Sequence, residues 1–173
     1  TPTASGTRQT VVITGLNAGT TYYVAMKTAD EVPNWAGISN VVSRTTAAAP
    51  DLTRPAALAL GTSGATDSTV VLTWSATGDD SLTGTATSYD VRYSTSPITE
   101  ANWASATTVT GEPTPTAAGT SQTYTVRSLS RQVTYYFAAK VSDEAGNTSA
   151  LSNVLQVTTP DTKPPAAITD LVL

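Results

Sequence analysis

A stretch of thirty-one residues in this 173-residue chain occurs twice, without a gap. LNAGTTYYVAMKTADEVPNWAGISNVVSRTT, from Leu16, aligns with LSRQVTYYFAAKVSDEAGNTSALSNVLQVTT, from Leu129, with fourteen identical positions. The shared residues include the pairs Tyr22–Tyr23 and Tyr135–Tyr136, Lys27 with Lys140, and Asp30–Glu31 with Asp143–Glu144. After a short gap the likeness resumes, PDLTRPAAL from Pro50 matching PDTKPPAAI from Pro160. The repeat distance is roughly 110 residues, too long for a solenoid unit and right for a small domain. One complete copy fits, over residues 50–160. Residues 1–49 are then expected to be the rear of a preceding copy, and residues 161–173 a linker and the start of a following one. A chain that starts and stops within repeats reads as a window on a tandem array.

Within the complete copy the apolar residues recur with period two. Val70, Leu72 and Trp74 alternate with Val71 and Thr73, and the same pattern runs through Tyr89, Val91 and Tyr93. Tyr135, Phe137, Ala139 and Val141 repeat it a third time. Turn-rich stretches separate these runs: GTSGATD, ATGDDSLTGT, TGEPTPTAAGT and DEAGN. Apart from one helical turn around Ile98–Ala104, no window carries a sustained 3.6-residue stripe. Short strands of this kind, each with one apolar face, predict an all-β sandwich of two facing sheets. A domain of this size buries somewhat over ~60% of its unfolded-chain surface, so it needs neither disulfide nor metal to fold.

Composition removes most chemistry. The chain has no Cys and no His, so disulfides, thiolate sites, the commonest general base and the commonest metal ligand are all excluded. A net charge of −4 argues against nucleic acid as a partner, since phosphate binding runs on clustered cations. No 18-residue apolar run occurs, which argues against membrane insertion of this segment, and the opening TPTASGTRQT lacks the pattern of a secretory leader. No cofactor is expected.

Several features together resemble fibronectin type III repeats, of the kind found in large secreted bacterial proteins. They are Trp74 late in the second strand, the YDVRY third strand, Leu129 followed six residues on by Tyr135, the same spacing in Leu16 and Tyr22, and the prolines Pro164–Pro165 and Pro55 at the junctions. The resemblance implies an immunoglobulin-like sandwich of seven strands with no chemistry of its own. Its strands would run A near 56–61, B near 69–75, C near 87–94, C′ near 104–110, E near 121–128, F near 133–142 and G near 151–159. Residues 1–49 would hold only E, F and G, and residues 166–173 a lone strand A. It also implies a tyrosine corner, in which Tyr22 and Tyr135 hydrogen-bond back across the turn before strand F. The Arg-Gly-Asp adhesion tripeptide of some animal members is absent; the matching loop reads Glu144-Ala145-Gly146-Asn147.

Candidate sites are few. Asp79 and Asp80 follow strand B, and Asp143, Glu144 and Asn147 follow strand F, at what the topology makes one pole. Such oxygens suit Ca²⁺, although without a DxDxDG run turn formation is the stronger reading. A glycosidase pair there would lack a cleft, and no hydroxyl nucleophile has a base, Lys27 and Lys140 lying at outward positions. Trp74 is expected in the core and Trp103 over an open sheet edge. Trp35 is a possible contact for a sugar or protein, with local packing the favoured alternative.

The function expected is a non-catalytic extracellular or cell-surface module. It would be a spacer, adhesive or filament-forming segment whose expected partners are neighbouring repeats of the same or another copy of the chain, and a cell-surface protein or glycan. The alternative is an accessory spacer or glycan-binding region of a secreted polysaccharide- or protein-degrading enzyme.

Overall fold

A computed structural model describes residues 3–170. It comprises two compact units, Thr1–Asp51 and Leu52–Leu173. Among the described residues no helix is long and apolar enough to cross a membrane.

The second unit holds seven strands. β3 (Gly61–Ala65), β4 (Val70–Ser75) and β7 (Ser121–Val126) form one antiparallel sheet in the order β3-β4-β7. β5 (Ser88–Ser94), β6 (Thr107–Thr108), β8 (Thr134–Ser142) and β9 (Leu155–Thr158) form the other, in the order β6-β5-β8-β9. β1 (Thr21–Val24) and β2 (Val42–Thr45) belong to the first unit. Period-two alternation sends Val70, Leu72 and Trp74 of β4 to the same core as Tyr89 and Val91 of β5 and Phe137, Ala139 and Val141 of β8. Trp74 is only 4% exposed and meets Tyr89 edge to face, ring centroids 5.3 Å apart. The Tyr89 hydroxyl donates to Gln122 Oε1 at 2.6 Å, and Gln122 Nε2 donates to the Thr114 carbonyl at 2.9 Å, tying the two sheets to the Pro-rich loop.

Five of the strands that the resemblance implied lie at β4 to β8, with C′ cut to two residues after a 3-10 turn at Trp103–Ser105. The outer two differ. Residues 56–60 form no strand, although Leu58 and Leu60 are buried; the strand that pairs with β4 begins only at Gly61, with a register shift between Thr62 and Gly64. The cause is Asn153. Its Oδ1 accepts the Leu60 N–H at 2.7 Å and its Nδ2 donates to the Leu60 carbonyl at 3.0 Å. One side-chain amide thus satisfies both backbone groups that a ladder would have used. The expected strand G likewise starts late, at Leu155: before it the Ser149 and Ser152 N–H groups still donate to the Val141 and Ala139 carbonyls, but hydroxyls take the return bonds. Ser152 Oγ accepts the Ala139 N–H at 2.9 Å and Ser149 Oγ the Val141 N–H at 3.0 Å.

β1 (Thr21–Val24) and β2 (Val42–Thr45) pair antiparallel, from Thr21 opposite Thr45 to Val24 opposite Val42. These strands align with residues 134–137 and 155–158 of the second unit, which pair in the same register, Thr134 opposite Thr158 and Phe137 opposite Leu155. The details recur as well. Tyr22 Oη accepts the Asn17 N–H and Tyr135 Oη the Ser130 N–H, both at 2.9 Å. Thr46 Oγ1 donates to the Asn17 carbonyl and Thr159 Oγ1 to the Ser130 carbonyl, both at 2.6 Å.

β8 continues to Ser142 because β5 pairs with it from Tyr136 onward, whereas β1 stops at Val24, the equivalent of Phe137. The expected strand E of this unit is not formed: Val11 and Ile13 are exposed and in no strand. A strand there needs a partner of the β4 kind, and the unit holds none among its described residues. Leu16 is accordingly 39% exposed, against 6% for Leu129. At the other end, residues 166–170 of the expected following strand A form no strand, and residues 171–173 lie outside the described residues.

Candidate functional site

The turn after β8 is built on one carboxylate. Asp143 is 4% exposed and accepts the Asn147 N–H on Oδ1 at 2.7 Å and Asn147 Nδ2 on Oδ2 at 2.8 Å. Burial pushes its carboxyl up, but the Asn147 side-chain and backbone bonds, with backbone N–H groups of Ala145 and Gly146, outweigh that and hold it below its ordinary range. The first unit repeats the device. Asp30 accepts the Val32 and Asn34 N–H groups and Asn34 Nδ2, at 3.1, 2.9 and 2.8 Å, and its carboxyl is held low, first of all by the Asn34 side chain.

Asp79 and Asp80 sit in another turn. Asp79 Oδ1 accepts the Thr85 N–H at 3.1 Å and folds over Gly84, where a Cβ would collide with it. A Cβ on Gly78 would strike the Thr83 backbone, so this loop closes only with glycine at that position. Asp80 is exposed and bridges to Thr83 through its backbone. This loop and the β8 turn both reach the same short entry stretch. Ser81 N–H donates to the Arg54 carbonyl at 3.1 Å, Ala56 N–H to the Ser81 carbonyl at 3.1 Å, and Asn147 Nδ2 reaches the Thr53 carbonyl at 3.5 Å. The acidic oxygens at this pole shape turns and do not converge. Among the described residues no group of three or more carboxylates is placed to hold a metal ion, and Glu144 is exposed.

Sequence reasoning missed a cluster on the outer face of the four-stranded sheet. Asp90 of β5 lies opposite Lys140 of β8, and Arg92 opposite Ala138. The loop before β6 brings Trp103 over this face, with the Arg92 guanidinium 4.7 Å and the Lys140 ammonium 5.2 Å from its ring centre. Both cations are paired, Arg92 with Asp90 at 2.9 Å and Lys140 with Glu100 at 2.6 Å. The Glu100 carboxyl is held low, first by Lys140 and then by the Leu151 N–H. Trp103 therefore covers a sheet face and not the open edge expected for it, because β6 already pairs with β5. The period-two register placed Asp90, Arg92 and Lys140 on one face; nothing in the sequence fixed the loop over them.

Trp35 is 67% exposed at the tip of the first unit's turn. The hollows on the second unit are shallow. The two at the open side of β4, about 400 and 460 Å³, are lined mainly by Ala, Ser, Thr and Gly, with no titratable side chain. No described hollow has the converging carboxylates or nucleophile that hydrolysis requires.

Over 159 residues the chain is 36% identical to chitinase A1 of Niallia circulans, covering 90% of this chain and 20% of the chitinase. Over a further alignment of 159 residues it is 31% identical to exoglucanase B of Cellulomonas fimi, covering 88% of this chain and 13% of that enzyme. The chain thus spans a fifth or less of these relatives' own length. A crystal structure of the chicken CNTN1 FN1-FN3 domains superposes with a TM-score of 0.46 at 16% identity, over 85% of this chain and 45% of that one. The fibronectin type III domain profile matches residues 55–158, which span both sheets of the second unit, and the chain belongs to the fibronectin type III family.

Proposed function

We propose that this chain is a non-catalytic accessory segment of a larger secreted protein that degrades polysaccharide. There it acts as a semi-rigid spacer between functional domains. The observation that supports this most is the pair of relatives: both degrade polysaccharide by name, and each is matched nearly end to end by this chain over only a small part of itself. A substrate too large to enter a cell places such an enzyme outside it. The chain's own chemistry agrees, with no His, no Cys and carboxylates spent on turns.

The entry stretch supports the spacer role. Pro55 is fully buried and Arg54 and Ala56 bond to Ser81, so the residues after Thr53 are part of the folded unit and not of a floppy link. The recurrence of the Tyr22 and Tyr135 corners favours a tandem arrangement, with residues 1–49 the rear of one repeat and 50–160 the next. That recurrence is also what an adhesive or filament-forming array would display. The coding sequence on either side separates the two readings. A hydrolase domain in the same open reading frame supports the accessory role, and a surface anchor with further repeats and no enzyme contradicts it.

A further inference from the structure

Most apolar exposure in the first unit disappears when each residue is compared with its equivalent in the second. Leu16, Ile13, Val24 and Met26 correspond to Leu129, Val126, Phe137 and Ala139, all buried. Three residues do not follow this pattern: Val41, whose equivalent Val154 is itself exposed, and the pair Val32 and Trp35 at the turn. Val32 and Trp35, 66% and 67% exposed, correspond to Ala145 and Thr148, which are themselves exposed in the complete sandwich. Completing the first unit therefore covers the other four and leaves Val32 and Trp35 in solvent. Thr148 in the second copy also means that the turn folds without an indole at this position.

From this we propose that the Asp30–Ala36 turn is a carbohydrate-binding tip, with the Trp35 indole as the platform for a pyranose ring of a β-linked glucan or chitin chain. Isolated exposed apolar side chains are ordinary; what distinguishes this one is the support beneath it. Asp30 holds the backbone of Val32 and Asn34, Asp30 N–H donates to the Asn34 carbonyl at 3.2 Å, and Ala36 N–H donates to the Thr28 carbonyl at 2.8 Å. Ala29 and Trp35 form an antiparallel bridge. These bonds hold the residues on both sides of Trp35 wherever the unit is folded, which lowers the ordering cost of binding there. A flat, solvated indole suits the C–H face of an equatorially substituted sugar, with an apolar face inward and hydroxyls left in water. The choice of polysaccharide rests on the accessory reading above.

The test is tryptophan fluorescence of the 173-residue chain titrated with chitohexaose and, separately, cellohexaose. One of the two should shift or quench the emission saturably, and Trp35→Ala should weaken that binding at least about tenfold, the scale of losing an aromatic hot spot. Trp35→Tyr should retain most of it, and Thr148→Trp should raise the number of sugars bound per chain. Failure of both oligosaccharides to bind, or equal binding by Trp35→Ala, overturns the inference and leaves the spacer role standing. A reading frame without a hydrolase domain has the opposite effect, removing the accessory role while the sugar titration stands on its own result.

Discussion

At the scale of single residues, the sandwich depends on a few large side chains and on the Tyr135 hydroxyl. Trp74→Ala removes an indole from between the sheets and should destabilise the second unit by about 3–5 kcal/mol. Tyr135→Phe leaves the Ser130 N–H without its acceptor and should cost about 1–3 kcal/mol, both effects read from thermal or urea unfolding. Asp143 adds a pH dependence. Its folded-state pKa lies below the unfolded one, so its contribution is complete above the unfolded value and is lost as pH falls through the folded value. Stability of the second unit should hold steady down to pH ~4 and decline below it, and Asp143→Asn should flatten that acid limb. Trp74 and both corner tyrosines were legible because alternation and a repeated spacing mark them. The partners of Arg92, Lys140 and Trp103 were not, because they meet through a loop whose path no local pattern sets.

The outer strands carry the lesson at the scale of elements. Alternation reads which face of a segment is buried, and it did so for β4, β5 and β8; the strand that the resemblance placed at 56–61 keeps Leu58 and Leu60 buried without forming. Alternation cannot read whether the backbone pairs with a strand or with a side chain, and Asn153 decides that for Leu60. Asn153→Ala should therefore cost about 1–3 kcal/mol by stranding two backbone groups at the sheet margin. Its largest hydrogen-exchange effect should fall at Leu60, and protection there that is unchanged would disprove the clamp. The β1–β2 hairpin isolates another contribution. It keeps four residue pairs of its equivalent in the second unit but has no strand of the β5 kind beside it and no facing sheet, and a lone hairpin is marginal in water. Its amides should exchange far faster than those of Tyr135–Val141. Equal protection would mean that the hairpin is stable without cover.

Across the whole molecule, the sandwich was readable from alternation, the missing His and Cys from composition, and the family from its resemblance at Trp74, the YDVRY strand and the Leu–Tyr spacings. The weighting of the two functional readings was not, since a spacer in a surface array and a spacer in an enzyme need the same fold. The relatives support the accessory reading as much as the surface-array one. The most direct measurement takes the parent protein with and without residues 50–160 and compares hydrolysis of insoluble chitin or cellulose with that of a soluble oligosaccharide. A non-catalytic spacer predicts a lower rate on the solid after deletion and an unchanged rate on the oligosaccharide. An equal loss on both would make the segment part of the catalytic machinery, and no change on either would contradict the spacer role.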